Sequence, residues 1–266
     1  MFSLVKNGDL CYYKIDAFEN TGMLAHSFTT KLGGVSNGRY QSLNLRLSSG
    51  DLIDNVYKNY DIICNELGIK KEDLVLSKQV HETNVIDVTS KDKGNGIVYE
   101  NKFISADALV TNEKNVPLVT FYADCVPVYL LDKVKGVIAL VHSGWKGTIG
   151  RISEKTVKHM IEKYSTNPED VIAAIGPSIR SCHYEVSDDL AERFVKEFGE
   201  DAVKMIGSKP HLSLQYCVIK QLIESGVPQD SIIDSGICTY CNKDIFYSHR
   251  HLGDERGTMA AIAMLK

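Results

Sequence analysis

Two imidazoles and a thiol stand where the chain passes from apolar to polar sequence: His81 in SKQVHETNV, Cys125 in FYADCVPVYLLD and His142 in GVIALVHSGWKGT. Each lies at or near the end of an expected strand, where side chains converge on a pocket. Two His with one Cys form a zinc ligand set that leaves one tetrahedral position open, the composition of a catalytic rather than a closed structural site. Their spacing is not that of a finger or ribbon, so ordinary core or surface roles stay open for all three. Asp124, next to Cys125, interrupts a run of Leu, Val, Tyr and Phe. An unpaired carboxylate buried there costs several kcal/mol, so something polar must receive it.

Other groups compete for attention. Cys238 and Cys241 form a C-x-x-C with no second such pair to close a tetrahedral site. Cys182-His183 resembles a nucleophile and its base, but neighbours on a strand point to opposite faces, and the adjacency reads as coincidence. HSGWKGT is not a Walker loop, because Lys146 precedes Gly147. Gly144 and Gly147, leading into a helix, nevertheless bring free backbone amides and Lys146 near His142, which suits an oxyanion or phosphate; a plain strand-to-helix turn is the equal alternative. Arg250 and Arg256 in SHRHLGDERG read either as anion clamps or as exposed loop arginines.

The apolar patterning describes the framework that must position these groups. LCYYKIDAF and MLAHSFTT alternate as strands, and a helix follows with Val56, Tyr60, Ile63 and Leu67 on one face and Gly68 as its stop. LVLSKQVHETNVIDV reads as a strand pair. ADALVT, VPLVTFYADCVPVYLLD and GVIALVH make a strand-rich centre. Helices over RISEKTVKHMIEKYS, SDDLAERFVKEFG and SLQYCVIKQLIESG then accompany the strand DVIAAIG, and Ser187 with Asp188 and Asp189 marks a helix start. Hairpin-like and helix-crossed strands together indicate an α+β fold with mixed sheets. No repeat or linker divides residues 1–266, so one domain is expected.

The composition sets further bounds. A chain of 266 residues, 44% hydrophobic and 24% charged, can bury a sizeable core. A net charge of −4 with scattered Lys and Arg gives no footprint for nucleic acid. The start MFSLVKNGDLCYYKID lacks a signal-peptide pattern, and no stretch approaches the ~20 apolar residues of a membrane span. A cytoplasmic protein with no membrane or nucleic-acid partner is expected, its seven cysteines reduced.

Seven stretches, taken in order, resemble the multicopper polyphenol oxidoreductase (laccase-like) family, regarded as purine nucleoside enzymes. They are GGVSNGRYQSLNL, SKQVHETNV, ADALVT, ADCVPVYLLD, VHSGWKGT, IGPSIRSCHYEV and FYSHRHLGDERG, running from about Gly33 to the C-terminus. The resemblance implies metal ligands at His81, Cys125 and His142, and an α/β/β/α sandwich of mixed sheets. It implies phosphorolysis of adenosine, inosine and 5′-methylthioadenosine, and adenosine deamination. The family's usual H-A-G-W-R-G reads H-S-G-W-K-G here, with Ser143 and Lys146, so charge stays while a planar arginine contact is lost. The usual T-G-R ending reads ERGT, with Arg256 ahead of its glycine.

On that resemblance Zn2+ is the expected cofactor, with purine nucleoside and phosphate as partners. Asp124 is the expected acid/base or ligand-orienting residue, Lys146, Arg250 and the Gly144 and Gly147 amides position phosphate, and Asn44 binds the nucleoside. Two alternatives remain. A polyphenol oxidase would use Cu2+, although eight histidines fall short of a ligand set for several coppers. A hydrolase would use Cys125 as thiolate with His142 as base.

Overall fold

Val137–Ser143 is buried at every position, so this strand needs cover on both faces. Ile138 and Leu140 enter one core while Val137, Ala139 and Val141 enter another. The computed structural model describes all 266 residues. Its strands are β1 (Phe2–Asn7), β2 (Leu10–Ile15), β3 (Leu24–Thr29), β4 (Val75–Leu76), β5 (Val85–Asp87), β6 (Ala108–Thr111) and β7 (Leu118–Tyr122). They continue with β8 (Val126–Asp132), β9 (Val137–Ser143), β10 (Val171–Ile175), β11 (Val203–Ile206), β12 (Lys209–Leu212), β13 (Ile232–Asp234) and β14 (Met259–Leu265). The helices are α1 (Asp16–Glu19), α2 (Ile53–Leu67), α3 (Trp145–Ile149), α4 (Ile152–Tyr164), α5 (Asp188–Phe198), α6 (Leu214–Glu224) and α7 (His249–Leu252).

Two mixed six-stranded sheets carry the fold, in the orders β1-β2-β3-β14-β7-β4 and β13-β10-β8-β9-β6-β5. Pairing is antiparallel except for β4 with β7, β5 with β6 and β10 with β13. The central core, with Phe28, Tyr122, Tyr129 and Leu140, lies between the sheets. A second core packs α4, α5 and α6 on the outside of the β8-β9 sheet. A third packs α2 on the outside of the other, where Ala260, Ile262 and Met264 of β14 meet Val56, Tyr60 and Ile63. The result is the expected four-layer α/β/β/α sandwich. α2 ends at Gly68, whose φ of 66° is the left-handed stop, and the Ser187 hydroxyl accepts from the Leu190 amide to start α5. No helix is long and apolar enough to cross a membrane.

Two expectations change. β4 and β5 lie in different sheets and do not pair with each other. The apolar run VPLVTFYADCVPVYLLD is not one strand: β7 belongs to one sheet and β8 to the other, and the chain turns between them at Ala123–Cys125. Asp124 makes the corner with φ of 88°, a left-handed conformation uncommon for any residue with a Cβ. Period and hydrophobicity do not register such a crossing, because both halves are equally buried.

One buried titratable group belongs to the fold itself. His26 on β3 is 1% exposed and its Nε2 accepts from the Ile15 amide at 2.8 Å, which requires the neutral ring. Burial lowers its pKa to about 4. The folded-state value lies below the unfolded one, so this contribution is full above about pH 6.5 and is lost as pH falls toward 4. Urea unfolding at pH 7.5 and pH 4.5 is expected to show a loss of about 2 kcal/mol that His26→Gln removes. An unchanged pH slope in the variant would contradict it.

Candidate active site

Asp107, wholly buried, precedes β6, and the β6–β9 register places it beside His142. Its Oδ1 lies 3.0 Å from His142 Nδ1 and accepts from the His81 amide at 3.0 Å; Oδ2 accepts from the amides of Val80 and Glu82. The turn carrying His81 thus wraps its amides around one carboxylate, and the left-handed φ of 62° at His81 aims successive N–H groups inward. Burial alone would raise the Asp107 pKa; the His142 bond and these amides outweigh it and hold it low. With Nδ1 committed to Asp107, His142 presents Nε2 to the site, the arrangement by which a carboxylate orients a ligating histidine.

His142 continues the inter-sheet face of β9, Cys125 lies at the sheet-crossing corner, and the ring of His81 packs edge-on to that of His142 at 4.8 Å. Cys125 Sγ lies 3.9 Å from His81 Nε2, and the ligand atoms of His81, Cys125 and His142 all fall within 4.8 Å of one another. Gly144 closes the back of the group: a Cβ there would stand 3.0 Å from His81 Cδ2 and 3.1 Å from Cys125 Sγ. Without a metal, burial disfavours charge on both Cys125 and His142, yet each overrides it for the other. The imidazolium pulls the thiol pKa down, and the thiolate with Asp107 pushes the imidazole up. A thiolate and two imidazoles at these separations can hold a metal ion, which would take the place of the proton. Asp107→Asn is expected to weaken metal binding 10- to 100-fold, measured by competition against a chromophoric chelator. An unaltered affinity would show that Asp107 does not set the ligand orientation.

The trio opens into a cavity of about 390 Å³, within the range of small-molecule sites. Leu76, Phe121 and Ala123 give it apolar walls, and Arg46, Lys78 and Arg256 line it with positive charge. Nε and Nη1 of Arg256 are buried without a hydrogen-bond partner. Burial, with Arg46 nearby, lowers the Arg256 pKa from its usual value.

Residues 25–266 match the family model described as multi-copper polyphenol oxidoreductase laccase. The chain belongs to this family. Among the family's curated proteins it is similar to purine nucleoside phosphorylase YlmD of Bacillus subtilis, 34% identical over 252 residues, 93% of this chain and 91% of that protein. Adenosine deaminase RL5, from an unknown prokaryotic organism, is 32% identical over 87% of this chain and 90% of its own length. The crystal structure of the Bacillus licheniformis hypothetical protein YfiH superposes with a TM-score of 0.92 at 30% identity, covering 99% of both chains.

Other sequence-predicted residues of this family member lie around the cavity rather than in it. Asp124 Oδ1 accepts from the Thr239 hydroxyl at 2.6 Å, and Oδ2 from the Ser248 hydroxyl at 2.9 Å and the Arg250 amide at 2.7 Å. These donors answer the cost of burying the carboxylate: Asp124 ties the strand corner, and with it Cys125, to the C-terminal segment. The Arg250 guanidinium donates to the carbonyls of His183 and Glu185 and covers the Tyr184 ring. Lys146 is exposed on α3, its Nζ over Trp145. Buried Asn44 accepts at Oδ1 from the amides of Arg46 and Thr258, holding two cavity-lining segments together. Gly147 allows close packing, since a Cβ there would meet the Glu82 carbonyl at 3.2 Å. The sequence reading gave Asp107 no role, although an acid opening the apolar run ADALVT carries the same signal that singled out Asp124.

Proposed function

We propose that the chain, as one domain over residues 1–266, catalyses phosphorolysis of purine nucleosides at a zinc ion held by His81, Cys125 and His142. Two imidazoles and a thiolate favour zinc by ligand type. The observation that carries the reading is the unpaired Arg256 guanidinium in the same cavity as the metal trio. A half-buried guanidinium whose Nε and Nη1 have no partner calls for an anion, and Arg46 and Lys78 beside it add the charge that phosphate needs. The walls formed by Leu76, Phe121 and Ala123 suit the face of a purine. When bound, the metal supplies Lewis-acid charge at the open side of the trio.

In this reading Arg256 and Arg46 hold phosphate against the anomeric carbon. The C1′–N9 bond breaks with its electron pair leaving on the base, a C1′–O bond to hydrogen phosphate forms, and the proton that the phosphate gives up passes to the base, giving free purine and ribose 1-phosphate, or 5-methylthioribose 1-phosphate from 5′-methylthioadenosine. His142 is held in one orientation by Asp107, and Asp124 keeps Cys125 at the corner. Adenosine, inosine and 5′-methylthioadenosine are the proposed substrates; the Bacillus subtilis relative is named a purine nucleoside phosphorylase. Adenosine deamination is the second reading, supported by the relative named adenosine deaminase RL5. We place the reaction in the cytoplasm, where the seven free thiols stay reduced. Products decide between the two reactions: with adenosine, phosphate-dependent adenine and ribose 1-phosphate support phosphorolysis, whereas inosine and ammonia formed equally without phosphate overturn it.

A further inference from the structure

The C-x-x-C pair has the partner that the sequence reading denied it. Cys182 and His183 lie in a turn rather than a strand, so the alternation of strand faces does not separate them, and both meet Cys238 and Cys241 from a loop far along the chain. All four ligand atoms lie within 4.8 Å of one another. Cys182 Sγ is 3.6 Å from Cys241 Sγ, and His183 Nδ1 is 3.3 Å from each of these two sulfurs. Bonds of the usual zinc lengths give tetrahedron edges of about 3.8 Å between sulfurs and about 3.6 Å between sulfur and nitrogen. The observed separations are close to those edges and far above the ~2.05 Å of a disulfide.

We propose that Cys182, His183, Cys238 and Cys241 form a second, closed zinc site that staples the turn at Cys182 to the loop at Cys238. Three thiols lose their protons to solvent on binding, and three thiolates with a neutral imidazole leave the centre at a net charge of −1. Arg180 lies close enough to Cys182 and Cys238 to feel both charges, and is itself fixed by two bonds to Asp234. The Tyr240 ring stacks on His183 at 4.3 Å and holds the imidazole plane. Four protein ligands leave no position for substrate, so the centre is structural. Thr239, between the two cysteines of the loop, donates to Asp124, and Arg250 bonds the His183 carbonyl. The staple therefore braces the segment that seats Cys125.

The test is zinc per chain in wild type and in Cys182→Ser/Cys241→Ser, two exposed positions where serine is tolerated. The variant is expected to hold one zinc fewer than wild type, whatever the His81 trio holds, and to melt more than about 5 °C lower. Peptide mapping after alkylation gives a readout independent of the variant. In the zinc-loaded wild type, Cys182, Cys238 and Cys241 are protected from iodoacetamide together, and chelation exposes the exposed pair, Cys182 and Cys241. Equal zinc in variant and wild type, free reaction of Cys182 and Cys241 in the zinc-loaded protein, or a Cys182–Cys241 disulfide would overturn the proposal.

Discussion

His81→Asn is expected to remove the metal of the cavity and nucleoside turnover together, with activity down at least about 10³-fold and the fold intact. The variant leaves two of three ligands, which lowers zinc affinity steeply. Asparagine is the instructive substitution because residue 81 has φ of 62°, which Asn adopts readily while Ala is strained. His81 is exposed, so no core contact is lost. Chelation of the wild type should reproduce the loss, and added zinc should reverse it. Cys125→Asp separates this account from a thiolate hydrolase: a carboxylate can ligate zinc but cannot form a thioester. The zinc account expects Cys125→Asp to retain some metal and some turnover. Full activity in chelated wild type, with inactivation by iodoacetamide at Cys125 alone, would point to the hydrolase.

Arg256→Met should raise the KM for phosphate about 100-fold while metal content and the KM for nucleoside change little. Losing one partner of a desolvated charge pair costs roughly 2–5 kcal/mol, which is about 30- to several-thousand-fold in affinity. Methionine fills the space of the arginine stem without a charge, so folding should not suffer. Lys146→Met is the matched comparison: its ammonium lies over Trp145 on the outside of α3, and turnover should stay within a few-fold of wild type. The contrary result, with Lys146→Met disabling phosphate use and Arg256→Met silent, would restore the phosphate role that the sequence suggested for Lys146.

The convergence of His81, Cys125 and His142 was legible because a His or Cys at the end of an apolar strand stands out against its neighbours. The α+β fold with mixed sheets was legible for a related reason, since strands covered on both faces read as continuous apolar runs, whereas the four-layer arrangement came from the family resemblance. What escaped was every feature made by segments distant in the chain. Asp124 looked like a reactive group because its donors, Thr239, Ser248 and Arg250, lie more than a hundred residues away. Asp107 went without a role because its partners are three backbone amides and a histidine on another strand. Cys182 and His183 were misread because a turn was taken for a strand. The choice of Arg256 over Arg250 as the anion clamp rests on what it lacks, a partner for its buried Nε and Nη1, and no one-dimensional pattern shows that.

The central claim is phosphorolysis at a zinc centre, and one measurement tests it most directly. Protein with a known zinc content is given adenosine and phosphate, and adenine and ribose 1-phosphate are quantified before chelation, after chelation and after zinc is restored. The account predicts the two products in equal amounts, dependent on phosphate, lost with the metal and regained with zinc. Undiminished product formation by the chelated protein, or turnover indifferent to phosphate, would contradict it.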